Sequence, residues 1–473
     1  MLGIILAAGK GTRMKSDTPK VMHQLANRPF VEWVMDGFVG LMKDKTYDKI
    51  AVVAGDDMPE LEQFVKDWGN TKEKEVAIVY QRERLGSGHA VKMAMPEIES
   101  TGGDEPVFIL SGDVPLIQPE TLEKMRGLMQ QENTAGVVLT VKLDDPTGYG
   151  RVIKDDDGAI RKIVEEKDAT DEQRQIKEIN SGIYLIKASI LAAGLKELTN
   201  DNAQGEYYLT DIIAWMDKRG EKVLPIQTVD RNEVAGINNR FQLSGMEKVL
   251  RKRINKAHML NGVTIIDPDT VYIDPGVTIG RDSTIHPMTV ISGGTVIGER
   301  CTIGPMTQIN DSMIKADVRV ERSHVQQAEI RDNVKVGPFA RIREKTLLKE
   351  GVKIGDFVET KKTVMGKRSK AQHLTYLGDT EVGEDVNVGA GTITCNYDGF
   401  NKHRTRIDDG AFIGSNTSLV APVSVGRGAI IGAGSVIVKD VGDDALAIAR
   451  GKQVQKPKRA KELRKKLKKE GKR

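Results

Sequence analysis

The chain has 473 residues, of which 39% are hydrophobic, 29% charged and only 4% aromatic. That balance belongs to a soluble globular protein long enough for two or three domains, and it excludes a disordered or collagen-like chain. No apolar run approaches the ~18 residues that a membrane helix needs.

The net charge of +4 is a property of the tail, since residues 452–473 hold twelve Lys/Arg against two Glu. Such a tail reads as a solvated, partly disordered segment, or as a nonspecific contact for nucleic acid or an acidic membrane surface. Cys301 and Cys395 are the only two cysteines and stand far apart, which argues for a reducing compartment. The start has no basic leader, so no signal peptide is expected and the predicted location is the cytoplasm.

Residues 2–6 read as a short buried strand. Ala7, Ala8, Gly9 and Gly11 follow, a turn with almost no side chains, whose backbone N–H groups can approach an anion closely. Lys10, Arg13 and Lys20 surround it with positive charge. Arg13 can fork onto a phosphate, and Lys20, held after Pro19, is a point charge. Together they predict a polyphosphate site, although neither the dinucleotide-binding pattern nor the P-loop spacing is present. An ordinary strand-to-helix turn on a basic surface is the competing reading.

Apolar spacing then predicts helix over 30–42, strand over 49–53, helix over 61–68 and strand over 76–80. Helix over 89–95, strand over 107–110, helix over 120–130 and strand over 136–141 complete the series. Such alternation predicts a Rossmann-like α/β domain with a parallel sheet covered by helices, and ligands beyond the carboxyl ends of strands. Gln81 stands at one such end and leads into a second flexible turn, RLGSGH at 84–89. Ser111, Gly112 and Asp113 close another strand. A carboxylate at Asp113 can hold Mg²⁺, which takes few protein oxygens and completes its octahedron with phosphate and water; the alternative is a plain turn residue.

Between 242 and 258, Leu243, Met246, Val249, Leu250 and Ile254 form one helical stripe opposite Lys and Arg, which predicts a connector helix. Beyond it the period becomes six. Ile279, Ile285, Ile291, Ile297, Ile303 and Ile309 are evenly spaced, and Ile413, Leu419, Val425, Ile431 and Ile437 resume the rhythm. That period marks a parallel β-helix of triangular coils with the aliphatic residue pointing inward, which accounts for the scarcity of aromatics. Its end has to be covered, by the basic tail or by a partner chain. Residues 341–362 and 395–403 are expected to interrupt the coil. Between them His373 is either a structural residue or one mounted for function, and Cys395 reads as a small buried thiol.

The opening residues, with DVPL at 113–116, PTGYGR at 146–151, VEEK at 164–167, NSGIY at 180–184 and GINNR at 236–240, run in the order found in bacterial N-acetylglucosamine-1-phosphate uridyltransferases. ETKK at 359–362, HLTYLGD at 373–379 and GTITCNYDG at 391–399 resemble the acetyltransferase half of the same bifunctional enzymes. Ser111 stands where some members have Tyr, and Ala235 where many have Glu. The resemblance covers nearly the whole chain. It implies a uridyltransferase domain over 1–240, a linker helix over 241–261, and a left-handed β-helix acetyltransferase domain with a basic tail over 262–473.

For the first domain the resemblance implies that UTP and the UDP-sugar are held by Leu6, Ala7, Ala8, Gly9, Lys20, Gln81, Gly86, Ser87, Ser111 and Gly112. Gln81 and the backbone at Ala8, Gly86 and Ser87 would read uracil. Gly150, Glu165 and Asn180 would hold the acetamido sugar, and Asp113 and Asn238 would carry Mg²⁺. The sugar phosphate is already a nucleophile, so catalysis reduces to positioning and to neutralisation of charge by Mg²⁺, Arg13 and Lys20.

For the second domain it implies acetyl transfer from acetyl-CoA to glucosamine 1-phosphate, with His373 as general base, a role suited to an imidazole. Glu359 would orient the imidazole or the incoming amine. Arg343 and Lys361 would grip the sugar phosphate, with Tyr376, Asn387 and Asn396 completing that pocket. Ala390, Tyr397, Ser415, Ala433 and Arg450, again with Asn396, would meet acetyl-CoA, and N–H groups near Tyr397 and Ser415 would hold the oxyanion. Three β-helices would pack as a homotrimer sharing the acetyl sites, with no specific nucleic-acid partner and no membrane insertion. The alternatives are a single-activity sugar-1-phosphate nucleotidyltransferase whose β-helix is structural, and a noncatalytic assembly factor on the same folds.

Overall fold

A computed structural model of the chain describes residues 1–41, 49–131 and 133–470. It divides into two compact units, Met1–Leu250 and Arg251–Arg473, and the division falls inside the helix Arg240–Leu260.

The first unit is built on a sheet whose central strand is Leu2–Leu6, flanked in parallel by Lys49–Ala54 and Pro106–Ser111. These strands are apolar runs because helices cover both faces. Helices Phe30–Val39, Pro59–Lys72, Ser87–Met93 and Pro119–Met129 lie where apolar spacing places them, within a few residues. Met42, the expected end of the first, lies outside the described residues.

The sheet departs from the expected all-parallel arrangement. Glu178–Lys187 runs antiparallel between Thr134–Lys142 and Pro106–Ser111. No long crossover helix separates it from Thr134–Lys142. The intervening chain makes the antiparallel pair Arg151–Lys154 and Ile160–Val164, then a one-turn helix, Asp171–Arg174, and re-enters the sheet from the end it left. Return from the same end forces reversal of direction. The register of this strand shifts between Asn180 and Tyr184.

The second unit is a parallel β-helix with three faces, whose described sheets hold 11, 10 and 9 short strands. Each strand pairs with its equivalent one coil on, as in Ile285 with Ile303 and Ile291 with Ile309. The inward residues make one continuous core from Val263 to Ile437. Of the two expected interruptions, only the second is a departure from the coil. Across 341–362 the rhythm persists through Ile342, Leu348, Ile354 and Thr360, all buried. It is masked in the sequence because the last inward position is Thr, whose hydroxyl meets that of Thr346 at 3.3 Å. The actual slips are five-residue steps, such as Ile309 to Ile314 and Thr360 to Met365, in which a corner is one residue shorter.

At the other end of the coil, Ile254 packs on the core and Asn255 is fully buried. Its amide donates to the carbonyls of Pro268 at 2.9 Å and Val271 at 3.1 Å. Asn255→Ala is expected to lower stability by about 1–3 kcal/mol by leaving two buried carbonyls unpaired, read as a fall in the unfolding midpoint. The tail forms the helix Arg459–Glu470, every residue of it exposed, so within the chain it covers nothing. Among the described residues no helix is long and apolar enough to cross a membrane.

Candidate active sites

The first site lies beyond the carboxyl ends of the central strands. Backbone bonds from Ala7 N to Val53 O (2.8 Å) and Gly112 N to Leu6 O (2.9 Å) anchor the loop after Leu6 to its neighbours. Gly11 is required there, because its φ is +60° and a Cβ would stand 2.5 Å from Lys20 Cβ. Gly9 has open space above it. Arg84, which sequence reasoning passed over, pins this loop: its Nε donates to Ala8 O at 2.6 Å, while Nη2 pairs with Asp57. The preceding Gln81 is buried, with its amide 3.1 Å from Gly86 O and 3.2 Å from His89 Nδ1.

Leu6, Ala7, Ala8, Gly9, Lys20, Gln81, Gly86, Ser87, Ser111 and Asp113 line one cavity of about 340 Å³. A second, of about 400 Å³, is lined by Arg13, Ser111, Asp113, Tyr149, Ser181 and Asn238, among others, so Ser111 and Asp113 belong to both. Residues remote in sequence converge where the two meet. Lys20 Nζ pairs with Asp113 Oδ2 and donates to Asn238 Oδ1 at 2.6 Å, and Arg13 Nη2 donates to the same oxygen at 2.9 Å. Two side-chain oxygens therefore already embrace one positive charge.

Gly150, Glu165 and Asn180 lie together but line neither cavity. Asn180 N donates to Gly150 O at 2.9 Å, and a Cβ on Gly150 would stand 3.4 Å from the Glu165 carboxylate oxygens. Asn180 gives its amide N–H to Tyr184 Oη at 2.6 Å and accepts from Gly182 N at 3.0 Å, which holds the strand in its irregular register. Burial pushes the Glu165 carboxyl above its ordinary pKa, despite a hydrogen bond from Thr210 at 3.1 Å. A folded-state pKa above the unfolded one means stability lost as pH rises through the folded value. Glu165→Gln is expected to remove that loss, seen as a flatter unfolding midpoint from the ordinary carboxylate range upward.

The second site is mounted outside the aliphatic column. His373 ends the strand Lys370–His373, and its side chain is 60% exposed. The register sets Asp356 opposite it one coil earlier, with Oδ1 3.0 Å from His373 Nδ1. Asp356, not Glu359, is thus the imidazole's partner, which corrects the first of the two roles expected of Glu359 and leaves the second, toward the incoming amine, untouched. That residue stands on the next face, where it accepts from Arg343 Nη1 at 2.8 Å. The signal for Asp356 was a separation of 17 residues, one coil.

Lys361 pairs with Glu344 at 2.9 Å, so each cation expected to grip a sugar phosphate now holds a carboxylate. Tyr376 lies beside Glu359 in register, and Gly378 leaves room for it: a Cβ there would strike the Tyr376 ring and approach Asn396 Nδ2 to 2.8 Å. Asn387 is on the adjoining face, in register with Lys370.

Ala390 accepts from Asn416 N at 2.7 Å, Ser415 from Gly434 N at 2.8 Å, and Ala433 from Arg450 Nη1 at 2.7 Å, so these corners stack coil on coil. Asn396 is buried and donates to Asp379 at 2.6 Å. Tyr397 is exposed at the root of a loop closed by Asp398, which accepts from the backbone of Asn401 (2.6 Å) and Phe400 (2.8 Å) and meets His403 Nε2 at 2.7 Å. Those backbone donors and His403 hold the Asp398 carboxyl far below the usual range. Cys301 is buried, while Cys395 is half-buried rather than buried as expected. The residues around His373 thus spread over two faces and two corners of a convex prism.

Three family models match the chain: a MobA-like NTP transferase domain over 3–178, a GMPPB C-terminal domain over 265–364, and six bacterial transferase hexapeptide repeats over 404–439. The chain is 50% identical to the "Bifunctional protein GlmU" of Thermosipho melanesiensis over 456 residues, 96% of each chain. It is 48% identical to the protein of that name from Fervidobacterium nodosum over 98% of each. The Carboxydothermus hydrogenoformans protein of that name is 48% identical, over 96% of this chain and 99% of its own. With an NTP-transferase sheet, a hexapeptide β-helix and identity near one-half from end to end, the chain belongs to the bifunctional GlmU family.

Proposed function

We propose that the protein makes UDP-N-acetylglucosamine in two steps, acetylating glucosamine 1-phosphate on the β-helix and joining the product to UMP from UTP on the α/β unit. The observation that supports the reading is a pair of separate candidate centres: a cavity of about 340 Å³ where Lys20 meets Asp113, and an exposed imidazole braced by Asp356.

In the acetyl step Asp356 accepts from Nδ1–H, which leaves Nε2 free to take a proton from the amine. As the amine nitrogen attacks the thioester carbon, the C–S bond breaks, and the proton passes to the departing thiolate of CoA. Arg343 and Lys361 exchange Glu359 and Glu344 for the sugar phosphate, with Tyr376, Asn387 and Asn396 around the ring. Ala390, Tyr397, Ser415, Ala433 and Arg450 hold acetyl-CoA, with N–H groups near Tyr397 and Ser415 facing the developing oxyanion.

In the uridylyl step an oxygen of the sugar phosphate attacks the α-phosphorus of UTP, and pyrophosphate leaves. The loop 7–11 and Lys20 cradle the phosphates, while Gln81, with backbone at Ala8, Gly86 and Ser87, reads uracil. Gly150, Glu165 and Asn180, grouped outside the two cavities, take the acetamido sugar. Asp113 and Asn238 suit Mg²⁺, because their oxygens already meet about one cationic group, and two oxygens leave the rest of an octahedron to phosphate and water. Bound by these two residues, the metal would supply neutralisation of phosphate charge.

The spread of the second site over two faces and two corners supports a homotrimer in which neighbouring β-helices complete each acetyl pocket. The substrates, UTP and acetyl-CoA, support action in the cytoplasm. The test is a pair of assays on the purified protein, pyrophosphate release with each of the four nucleoside triphosphates and CoA release with glucosamine 1-phosphate. Uridine specificity in the first and acetyl transfer in the second are expected; absence of either sinks the two-step reading.

A further inference from the structure

One face of the β-helix carries an unbalanced column of charge. Arg319, Lys335, Lys353 and Lys370 are the outward residues of four successive coils and stand in register, each directly above the last. Neighbouring rungs are about 4.8 Å apart, and like charges facing at that spacing destabilise a sheet. All four are exposed.

The usual remedy, a carboxylate beside each cation, is present only at the first rung, where Glu321 accepts from Arg319 at 2.8 Å. At the equivalent position beside Lys335 and Lys353 the chain has Gly337 and Gly355, and beside Lys370 it has Gln372. Asp385 stands close enough for Lys370 to help depress its pKa, chiefly a consequence of the Arg368 bond. That carboxylate is held by Arg368 at 2.8 and 2.6 Å. Lys335, Lys353 and Lys370 form no ion pair among the described residues.

The column also has a destination. The next rung after Lys370 is Asn387, and Lys370 shares its strand with His373. Ala390, Ser415 and Ala433, read above as acetyl-CoA contacts, lie on later coils, on the far side of His373. Arg343 and Lys361, read as the contacts of the sugar phosphate, stand on earlier coils than His373, on the adjoining face.

We propose that Arg319, Lys335, Lys353 and Lys370 are an electrostatic track that guides the phosphate of the amino sugar along this face to the acetyl-transfer site. The inference rests on the acetyltransferase reading of His373. A dianionic phosphate monoester is drawn along the column, which ends before Asn387, and passes there to Arg343 and Lys361 on the adjoining face. The track contributes to capture and not to the chemical step, so its effect belongs in kcat/KM and fades as salt screens it.

The test is the full-length triple variant K335Q/K353Q/K370Q, assayed for CoA release across glucosamine 1-phosphate concentrations in dilute and in concentrated salt. At low salt its kcat/KM for the sugar phosphate is expected to fall about tenfold through KM, with kcat unchanged, and the gap to close at high salt. The change in kcat/KM for acetyl-CoA is expected to be smaller, the matching Lys→Arg triple to behave as wild type, and the unfolding midpoint of the Gln triple not to fall. An unchanged kcat/KM at low salt overturns the track. So does a loss that salt does not abolish, that acetyl-CoA shares equally, or that the Arg triple also shows. Failure of the wild-type protein to release CoA at all is a different result, and removes the reading of the site itself.

Discussion

His373→Ala lowers the rate of acetyl transfer by about 10²–10⁴-fold, the usual contribution of a positioned general base, and leaves pyrophosphate release from UTP as it was. The selectivity follows from the fold. The imidazole sits outside the aliphatic column, 60% exposed, so its removal opens no core cavity and the β-helix persists. Asp356→Asn is the sharper companion. Its oxygen 3.0 Å from Nδ1 fixes which ring nitrogen keeps the lone pair, and an amide in its place can present N–H instead. A loss of roughly 10–100-fold is expected on the precedent of outer-shell partners of histidine, together with a displaced pH–rate profile, while KM for the sugar phosphate holds. CoA release measured against pH checks both. An Asp356→Asn enzyme with wild-type rate and profile would show that the carboxylate is a surface ion pair and nothing more.

Asp113→Ala has the opposite signature. It removes the one carboxylate common to both cavities of the α/β unit, and leaves Lys20 with Asn238 as its remaining acceptor in that corner. Uridylyl transfer is expected to fall by more than about 10²-fold, since neutralisation of the phosphates is the main catalytic device of such a site, while CoA release continues at the wild-type rate. A variant that retained uridylyl transfer, or lost both activities while still folded, would refute the assignment.

The β-helix was legible in the sequence because its period is local and redundant: Ile279 to Ile309 repeats at six without a break, and every one of those residues is buried. The strand–turn opening at Leu6 was legible for a similar reason, since the apolar run, the glycine turn and the three cations are written between Leu2 and Lys20. The antiparallel strand Glu178–Lys187 was not, because its apolar run would serve equally well in either direction. Only the absence of a crossover helix, a fact about the intervening chain, decides which way it enters the sheet.

By itself, then, the sequence determined the two architectures, because buried periodicity and turn chemistry act over a few residues, while most candidate site residues came from resemblance and not from local pattern. Tertiary structure alone decided the partnerships. Lys20 with Asp113 and Asn238, Arg84 with Ala8, and Asp356 with His373 join positions separated by 93, 218, 76 and 17 residues. Contacts across such separations are set by sheet order and coil length, which accumulate along the chain and are visible in no local stretch of it.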